Sequence, residues 1–185
     1  MVKSSSIEDV PLIDALAEVF SRYGYEGASL NRLSDASNLK RSSLYHRFPG
    51  GKDEIVQAVI SRAEDRYASV LGPAFEDGDP EERAERVALG LADYYGNGEA
   101  SCVIIALSLS DDEGRAQGGQ CVLGWADGFA RIASDSGMSD ADALEAALDA
   151  IAVIEGALVI AATTGRKGPF ERALSGLPAS LTTTR

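Results

Sequence analysis

The chain has 185 residues, of which 45% are hydrophobic and 25% are charged. This length suits one sizeable domain or two small ones, and the composition excludes a chain that is disordered throughout. The net charge of −12 argues against a nucleic-acid partner, because phosphate groups bind basic surfaces. The charge is uneven, however: residues 28–52 hold five basic side chains and one acid, whereas residues 53–185 carry a net charge of −13. We call residues 28–52 the basic island, and it is the segment suited to a polyanion.

Cysteine, histidine and apolar patterning exclude several further classes of protein. Two cysteines, Cys102 and Cys121, form no disulfide framework, which fits a reducing compartment. One histidine, His46, leaves too few ligands for a Cys/His zinc site, and no cofactor is expected. No uninterrupted apolar run reaches the length of a membrane span, and the first residues lack the apolar core of a secretion signal. We therefore expect a cytoplasmic protein without a membrane partner.

The first part of the chain predicts four helices. Leu12, Leu16 and Phe20 recur on one face of the first helix, which Gly24 ends. Ser29 is suited to cap the second helix, and a tight connection follows that helix. The predicted helices span Pro11–Tyr23, Leu30–Ser37, Lys40–Arg47 and Lys52–Leu71.

The rest of the chain predicts five more helices, so the predicted fold class is all-α. Asp79 and Ser139 are suited to cap two of them. The short apolar run over 102–109 is too brief for its periodicity alone to separate helix from strand. The predicted spans are about 80–95, 102–109, 112–135, 140–164 and 170–176, followed by a frayed tail over 181–185.

Three short helices before a long one, with a tight turn between the second and third, are typical of a helix-turn-helix. On the third helix only Leu44 and Phe48 are needed for the core. The remaining side chains are basic, hydroxyl-bearing or aromatic, which suits a DNA groove. They are Lys40, Arg41, Ser42, Ser43, Tyr45, His46 and Arg47. A solvated face on a small helical bundle explains the same pattern equally well.

The segment Leu12–Ile60 resembles the N-terminal domain of the TetR-type bacterial transcriptional repressors. The most specific parts are FSRYGYEGAS, which begins at Phe20, and LYHRFPGGKDEI, which begins at Leu44. The two glycines before Lys52, together with the later segment ASCVIIALSLS, resemble the subgroup named for LmrA and YxaF.

This resemblance implies a homodimer that places its two third helices in successive major grooves of a pseudo-palindromic operator. It also implies a helix-turn-helix domain over 1–52 and a ligand-binding and dimerisation domain over 53–185, with a linking helix over about 52–71. By motif position it assigns DNA contacts to Ser29, Arg32, Lys40, Arg41, Ser42, Ser43, Tyr45, His46 and Lys52. One departure is Lys40, which stands where the family places a small capping hydroxyl.

In the second domain the resemblance implies a small-molecule inducer, partly apolar in character. Candidate pocket residues are chosen by residue type on the helices over 80–95, 102–109 and 112–135. They are Tyr94, Tyr95, Cys102, Leu107, Cys121, Trp125 and Phe129. Plain hydrophobic core is the alternative for each of them, and for the two cysteines it is favoured over a redox pair.

The helix over 140–164 is apolar on more than one face, which predicts burial against its own domain and against a second subunit. We expect the dimer to form through this helix and the helix over 169–176. A central helix in a monomer is the alternative.

An enzyme is not expected. The chain has no GxSxG elbow, and Gly50–Asp53 lacks the spacing of a phosphate-binding loop. The carboxylates are scattered along solvated faces. A small helical enzyme or a ligand-binding protein without DNA binding remains the alternative to the repressor.

Overall fold

The structure is a computed structural model that describes residues 9–108 and 112–183. These residues form nine α-helices and no strand, which confirms the predicted fold class. The helices are α1 Val10–Gly27, α2 Leu30–Ser37, α3 Arg41–Arg47, α4 Lys52–Leu71, α5 Pro80–Tyr94, α6 Val103–Ser108, α7 Asp112–Asp135, α8 Asp140–Thr164 and α9 Gly168–Thr182. The start of the chain, for which no secretion signal is expected, and Leu109 lie outside the described residues.

Two compact units divide the chain. Unit 1 takes in the chain through Asp65 together with Val103–Gly118, and unit 2 takes in Arg66–Cys102 and Gly119–Arg185. The predicted functional domains, residues 1–52 and 53–185, stay a prediction.

Unit 1 is organised around the apolar face of α1. Leu16 and Phe20 are fully buried there, as are Leu33 of α2 and Leu44 of α3. α6 packs against the same helix, and α2 packs against both α1 and α3. A salt bridge of 3.1 Å from Arg62 Nε to Asp14 Oδ1 ties α4 to α1.

The end of α1 and the start of α3 differ from the prediction. The helical conformation breaks at Gly24, where the sequence predicts the helix end, and a further short helical stretch carries α1 on to Gly27. Gly24 takes φ 64° and ψ −178°, a conformation that glycine adopts at little cost, so it interrupts the helix without ending it. α3 begins at Arg41, and Lys40 is its N-cap residue without a side-chain capping bond. The departure at Lys40 therefore does leave the helix without a hydroxyl cap.

Unit 2 is organised around α9, which packs against both α5 and α8. Its buried residues Phe170, Leu174, Leu177 and Leu181 recur at helical spacing. The predicted helix end at residue 176 is therefore wrong, because α9 continues to Thr182. The predicted fraying is wrong for Leu181 and Thr182, since Leu181 is 0% exposed and continues this buried stripe.

Arg83 is the largest fully buried side chain of unit 2 and is 2% exposed. Its Nη1 donates to the Ala74 and Glu76 carbonyls at 3.2 and 2.7 Å, and its Nη2 donates to the Asp135 carboxylate at 2.8 Å. One guanidinium thus joins α5, the 3₁₀ turn Gly72–Phe75 and the end of α7. The hydrogen bond from Arg83 is the main reason that the pKa of Asp135 is lowered.

Half of α8 remains uncovered despite its apolar composition. The exposed residues follow one side of the helix, and we call them the α8 stripe: Leu148, Ala152, Val153, Gly156, Val159, Ile160 and Thr163. Among the described residues α8 is also the one helix long and apolar enough, by length and composition alone, to cross a membrane. This helix was not singled out from the sequence, because only uninterrupted apolar residues were counted, and Asp149 and Glu155 interrupt the run. Core helices of soluble proteins meet the same criterion.

Candidate functional site

The turn between α2 and α3 is fixed by local hydrogen bonds. Ser29 caps α2 by accepting from the Arg32 N–H, and Asn38 ends it in a left-handed conformation with φ 56°. The Leu39 N–H then donates to the Ser34 carbonyl at 3.2 Å. These bonds hold α3 against α2 in the helix-turn-helix arrangement that the sequence predicts.

The outer face of α3 is exposed to solvent. No ion pair within the described parts of the chain engages Lys40 or Arg41. Every sequence-predicted contact residue from this helix lies on that face: Lys40, Arg41, Ser42, Ser43, Tyr45 and His46. A shallow open depression runs along it, lined by Leu39, Ser42, Ser43, His46 and Arg47. Exposed charged and hydroxyl groups can bind phosphate and base edges.

Arg47 and Tyr45 of α3 each have a neighbour within the protein. Arg47 forms an ion pair with Asp9, just before α1, so its charge is engaged within the fold. The ring of Tyr45 lies beside Gly51, with Cε1 3.7 Å from the position that a Cβ at Gly51 would take.

Arg32 is held at the end of α1. Its Nη1 donates to the Gly27 carbonyl at 2.7 Å, and its guanidinium lies 4.2 Å from the centre of the Tyr23 ring. The DNA contact predicted for Arg32 is therefore assigned to a side chain whose direction is fixed by the protein. Tyr23 was not identified from the sequence as part of this arrangement.

Lys52 is held in a similar way at the start of α4. Its Nζ lies 4.1 Å from the centre of the Tyr25 ring, and the Tyr25 hydroxyl donates to the Asp53 carboxylate. The Gly50 N–H donates to Glu54 Oε2 at 2.7 Å, which satisfies a backbone donor ahead of this helix. Tyr25 was also missed, although it stands in the FSRYGYEGAS motif.

A second cluster lies in unit 2 and consists of aromatic rings. Tyr67 stacks on Trp125 with ring centres 4.4 Å apart, and its edge meets Tyr94 at 5.6 Å. Tyr94 meets Tyr95 at 4.7 Å, and Tyr95 meets Phe170 at 5.9 Å. We call these five residues the ring cluster. The predicted ligand residues Tyr94, Tyr95 and Trp125 therefore lie together, whereas Tyr67 and Phe170 were missed because helical spacing alone marks them as core.

Glu155 of α8 borders the ring cluster as a largely buried carboxyl group. It accepts hydrogen bonds from the Tyr95 hydroxyl at 3.3 Å and from the Cys102 thiol. Burial raises the pKa of Glu155, and both hydrogen bonds only partly oppose this. Burial likewise raises the pKa of the Tyr67 and Tyr95 hydroxyls.

The other predicted ligand residues are distributed differently. Leu107 is buried in α6 of unit 1, whereas Cys121 and Phe129 are buried on α7 in unit 2. Both cysteines are free thiols. No group of side chains in residues 9–108 and 112–183 is suited to hold a metal ion.

Glu155→Gln is expected to reduce the pH dependence of stability. The folded-state pKa of Glu155 is raised, so the folded protein binds this proton more tightly than the unfolded chain. The free energy of unfolding therefore falls as pH rises from the unfolded pKa of about 4.3 towards the folded pKa, and glutamine removes that fall. Urea unfolding across this range measures it, with Glu85→Gln on the exposed face of α5 as the control. A variant whose stability follows the same pH profile as the unaltered protein contradicts this assignment.

Residues 12–59 match the family described as "Bacterial regulatory proteins, tetR family". The match covers the helix-turn-helix and the first turns of α4. It includes every predicted DNA-contact residue.

Longer similarities extend over nearly the whole chain. The chain is 23% identical over 174 residues to the HTH-type transcriptional regulator LmrA of Bacillus subtilis, covering 90% of this chain and 93% of the relative. It is 23% identical over 166 residues to the uncharacterized regulator YxaF of the same organism, covering 86% and 87%. A TetR transcriptional regulator from Legionella pneumophila has the same fold, with a TM-score of 0.80, 20% identity, and coverage of 97% of this chain and 99% of that one. All three of these proteins are named as transcriptional regulators.

Proposed function

We propose that this chain is a DNA-binding transcriptional regulator of the tetR family and that it acts as a cytoplasmic homodimeric repressor. The family match over residues 12–59 and the similarity to LmrA support this proposal. In this proposal the dimer binds a pseudo-palindromic operator and is released by a small-molecule inducer. The exposed face of α3 is the main support for DNA binding, because it presents basic and hydroxyl side chains to the solvent. The turn between α2 and α3 fixes the position of this helix.

The charge distribution supports the same orientation on DNA. The basic island includes α3 and the start of α4, whereas the rest of the chain is strongly acidic. An acidic surface repels the phosphate backbone, so the basic island is the part that approaches the duplex.

The α8 stripe supports a homodimer through α8 and α9. Gly156 lies in the middle of the stripe. Apart from the neighbouring backbone of its own helix, no atom of the described residues lies within 4 Å of the position that its Cβ would take. Gly176, on the exposed side of α9, is equally open. Glycine costs helix stability at such positions, and an exposed apolar stripe is unfavourable in water. A second copy packed closely against both helices explains both features, and a two-fold axis lets one surface bind itself.

The ring cluster and Glu155 support a ligand site in unit 2. Aromatic side chains with a few polar groups are typical of pockets for small molecules. Cys102, which donates to Glu155, directly precedes α6, and α6 packs against α1. A ligand that favours one arrangement of this segment would shift the population of the DNA-binding state. Trp125 is the single tryptophan, so its fluorescence reports binding during a screen of small molecules that release DNA.

Lys52→Ala is expected to weaken operator binding about tenfold with no change in the unfolding temperature, because one phosphate in each half-site is then left without its cation. The slope of log affinity against log salt should become shallower by about 0.9 for each phosphate that the protein no longer neutralises. The operator is obtained by selection from random duplexes, and fluorescence anisotropy measures affinity over a salt series.

Lys167→Ala is the matched control. Lys167 is likewise a lysine in contact with another side chain, through a salt bridge to Glu99 at 2.6 Å, but it lies in unit 2. It should leave both the affinity and the salt slope unchanged. Selection that enriches no paired half-sites, together with no binding of any duplex at low salt, would overturn the proposed function.

A further inference from the structure

Two tyrosines on either side of Gly24 each contact one cation of the predicted DNA interface. Tyr23 lies under the Arg32 guanidinium of α2, and Tyr25 lies under the Lys52 ammonium of α4. The ring-to-cation distances of 4.2 and 4.1 Å are within the range of a cation–π interaction. Neither tyrosine belongs to the contact residues that the family motif assigns.

The backbone conformation of Gly24 allows the two rings to contact cations on different helices, α2 and α4. Its φ of 64° interrupts α1 between the tyrosines, so the two side chains do not follow regular helical directions. Apart from the adjacent residues, no atom in the described part of the chain lies within 4 Å of the position that a Cβ would take here. The glycine is therefore required for its conformation and not for space.

A further hydrogen bond supports each of the two ring–cation contacts, from the cation in one case and from the ring in the other. Arg32 donates to the Gly27 carbonyl, which leaves the other edge of its guanidinium for an outside acceptor. The Tyr25 hydroxyl donates to Asp53, the residue after Lys52 in α4. This hydrogen bond holds the Tyr25 ring beside the start of α4, where Lys52 lies.

We propose that Tyr23 and Tyr25 are positioning residues for DNA binding, whose rings hold Arg32 and Lys52 in place to contact the phosphate backbone. This inference rests on the proposed function. Holding the side chains before binding reduces the conformational entropy that each would lose on reaching a phosphate. The rings act through the two cations and touch no DNA themselves.

A pair of double-mutant cycles tests the proposal. Binding of a labelled mixed-sequence duplex of three helical turns is measured by anisotropy at low salt. Tyr25→Leu should weaken binding about fivefold in the unaltered protein and have no effect in the Lys52→Ala background. Tyr23→Leu should behave in the same way with Arg32→Ala. Tyr25→Phe, which keeps the ring, should bind within about twofold of the unaltered protein.

The crossed pairs are the internal control, because Tyr25→Leu with Arg32→Ala, and Tyr23→Leu with Lys52→Ala, should be additive. A purely structural role for the tyrosines would weaken binding equally in all backgrounds, and that result would overturn the proposal. If Tyr25→Leu fails to fold, the cycle at Tyr23, whose side chain is 42% exposed, decides the question. An unaltered protein that binds no duplex overturns the proposed function as well, whereas additive cycles in a protein that binds DNA overturn this inference alone.

Discussion

Val153→Arg, in the α8 stripe, is expected to yield a monomer that binds the selected operator about 100-fold more weakly than the unaltered protein. Val153 is 58% exposed in the single chain, and in the proposed dimer it lies between two copies of α8. A two-fold axis would bring the two arginines close together in an apolar contact, where each charge is desolvated and repels the other. The affinity falls because a dimer binds its second half-site at a high effective concentration, and a monomer does not.

Leu89→Arg is the matched control for this variant. Leu89 is 71% exposed on α5, in the same unit, but it lies outside α8 and α9. The same change of an exposed apolar residue to arginine should there leave a dimer with unaltered operator affinity. Light scattering coupled to gel filtration gives the oligomeric state, and anisotropy gives the affinity. A Val153→Arg protein that remains dimeric would place the subunit contact on another surface.

The sequence predicted best those features that neighbouring residues determine. The bounds of α2 agree to the residue because Ser29 and Asn38, adjacent to its ends, make the capping bonds themselves. The exposed face of α3 followed in the same way from the spacing of Leu44 and Phe48. α9 was predicted too short, because Pro178 resembles a helix end and the burial of Leu181 depends on helices far away in sequence.

The contacts that orient functional side chains could not be predicted in this way. The ring of Tyr25 meets Lys52 across two intervening helices, and no periodicity connects these positions. Glu155 was not singled out from the carboxylates scattered along the chain, because its chemistry depends on Tyr95 and Cys102 from other parts of the chain. Burial of a polar group is a property of the tertiary packing, so a one-dimensional pattern underestimates it.

Arg83→Met is expected to lower the free energy of unfolding by about 3 kcal/mol. Methionine fills a similar volume but leaves the carbonyls of Ala74 and Glu76 without their donor and Asp135 without its closer cation. Urea unfolding at fixed protein concentration should give a lower midpoint with an unchanged slope. Arg83→Lys should recover only part of the stability, because one ammonium cannot reproduce the forked geometry that reaches three acceptors.

Arg86→Met is the matched control, one turn further along α5. Arg86 pairs with Glu76 at 2.5 Å, but both side chains are exposed, and such pairs contribute about 0–1 kcal/mol. The two arginines also differ in their response to acid. The pKa of Asp135 is lowered in the folded protein, so its contribution is present above the unfolded pKa of about 3.9 and is lost as pH falls through the folded value. Arg83→Met should reduce that acid-dependent destabilisation, whereas Arg86→Met should retain it. Equal destabilisation by both variants would mean that the buried guanidinium stabilises unit 2 no more than a surface ion pair does.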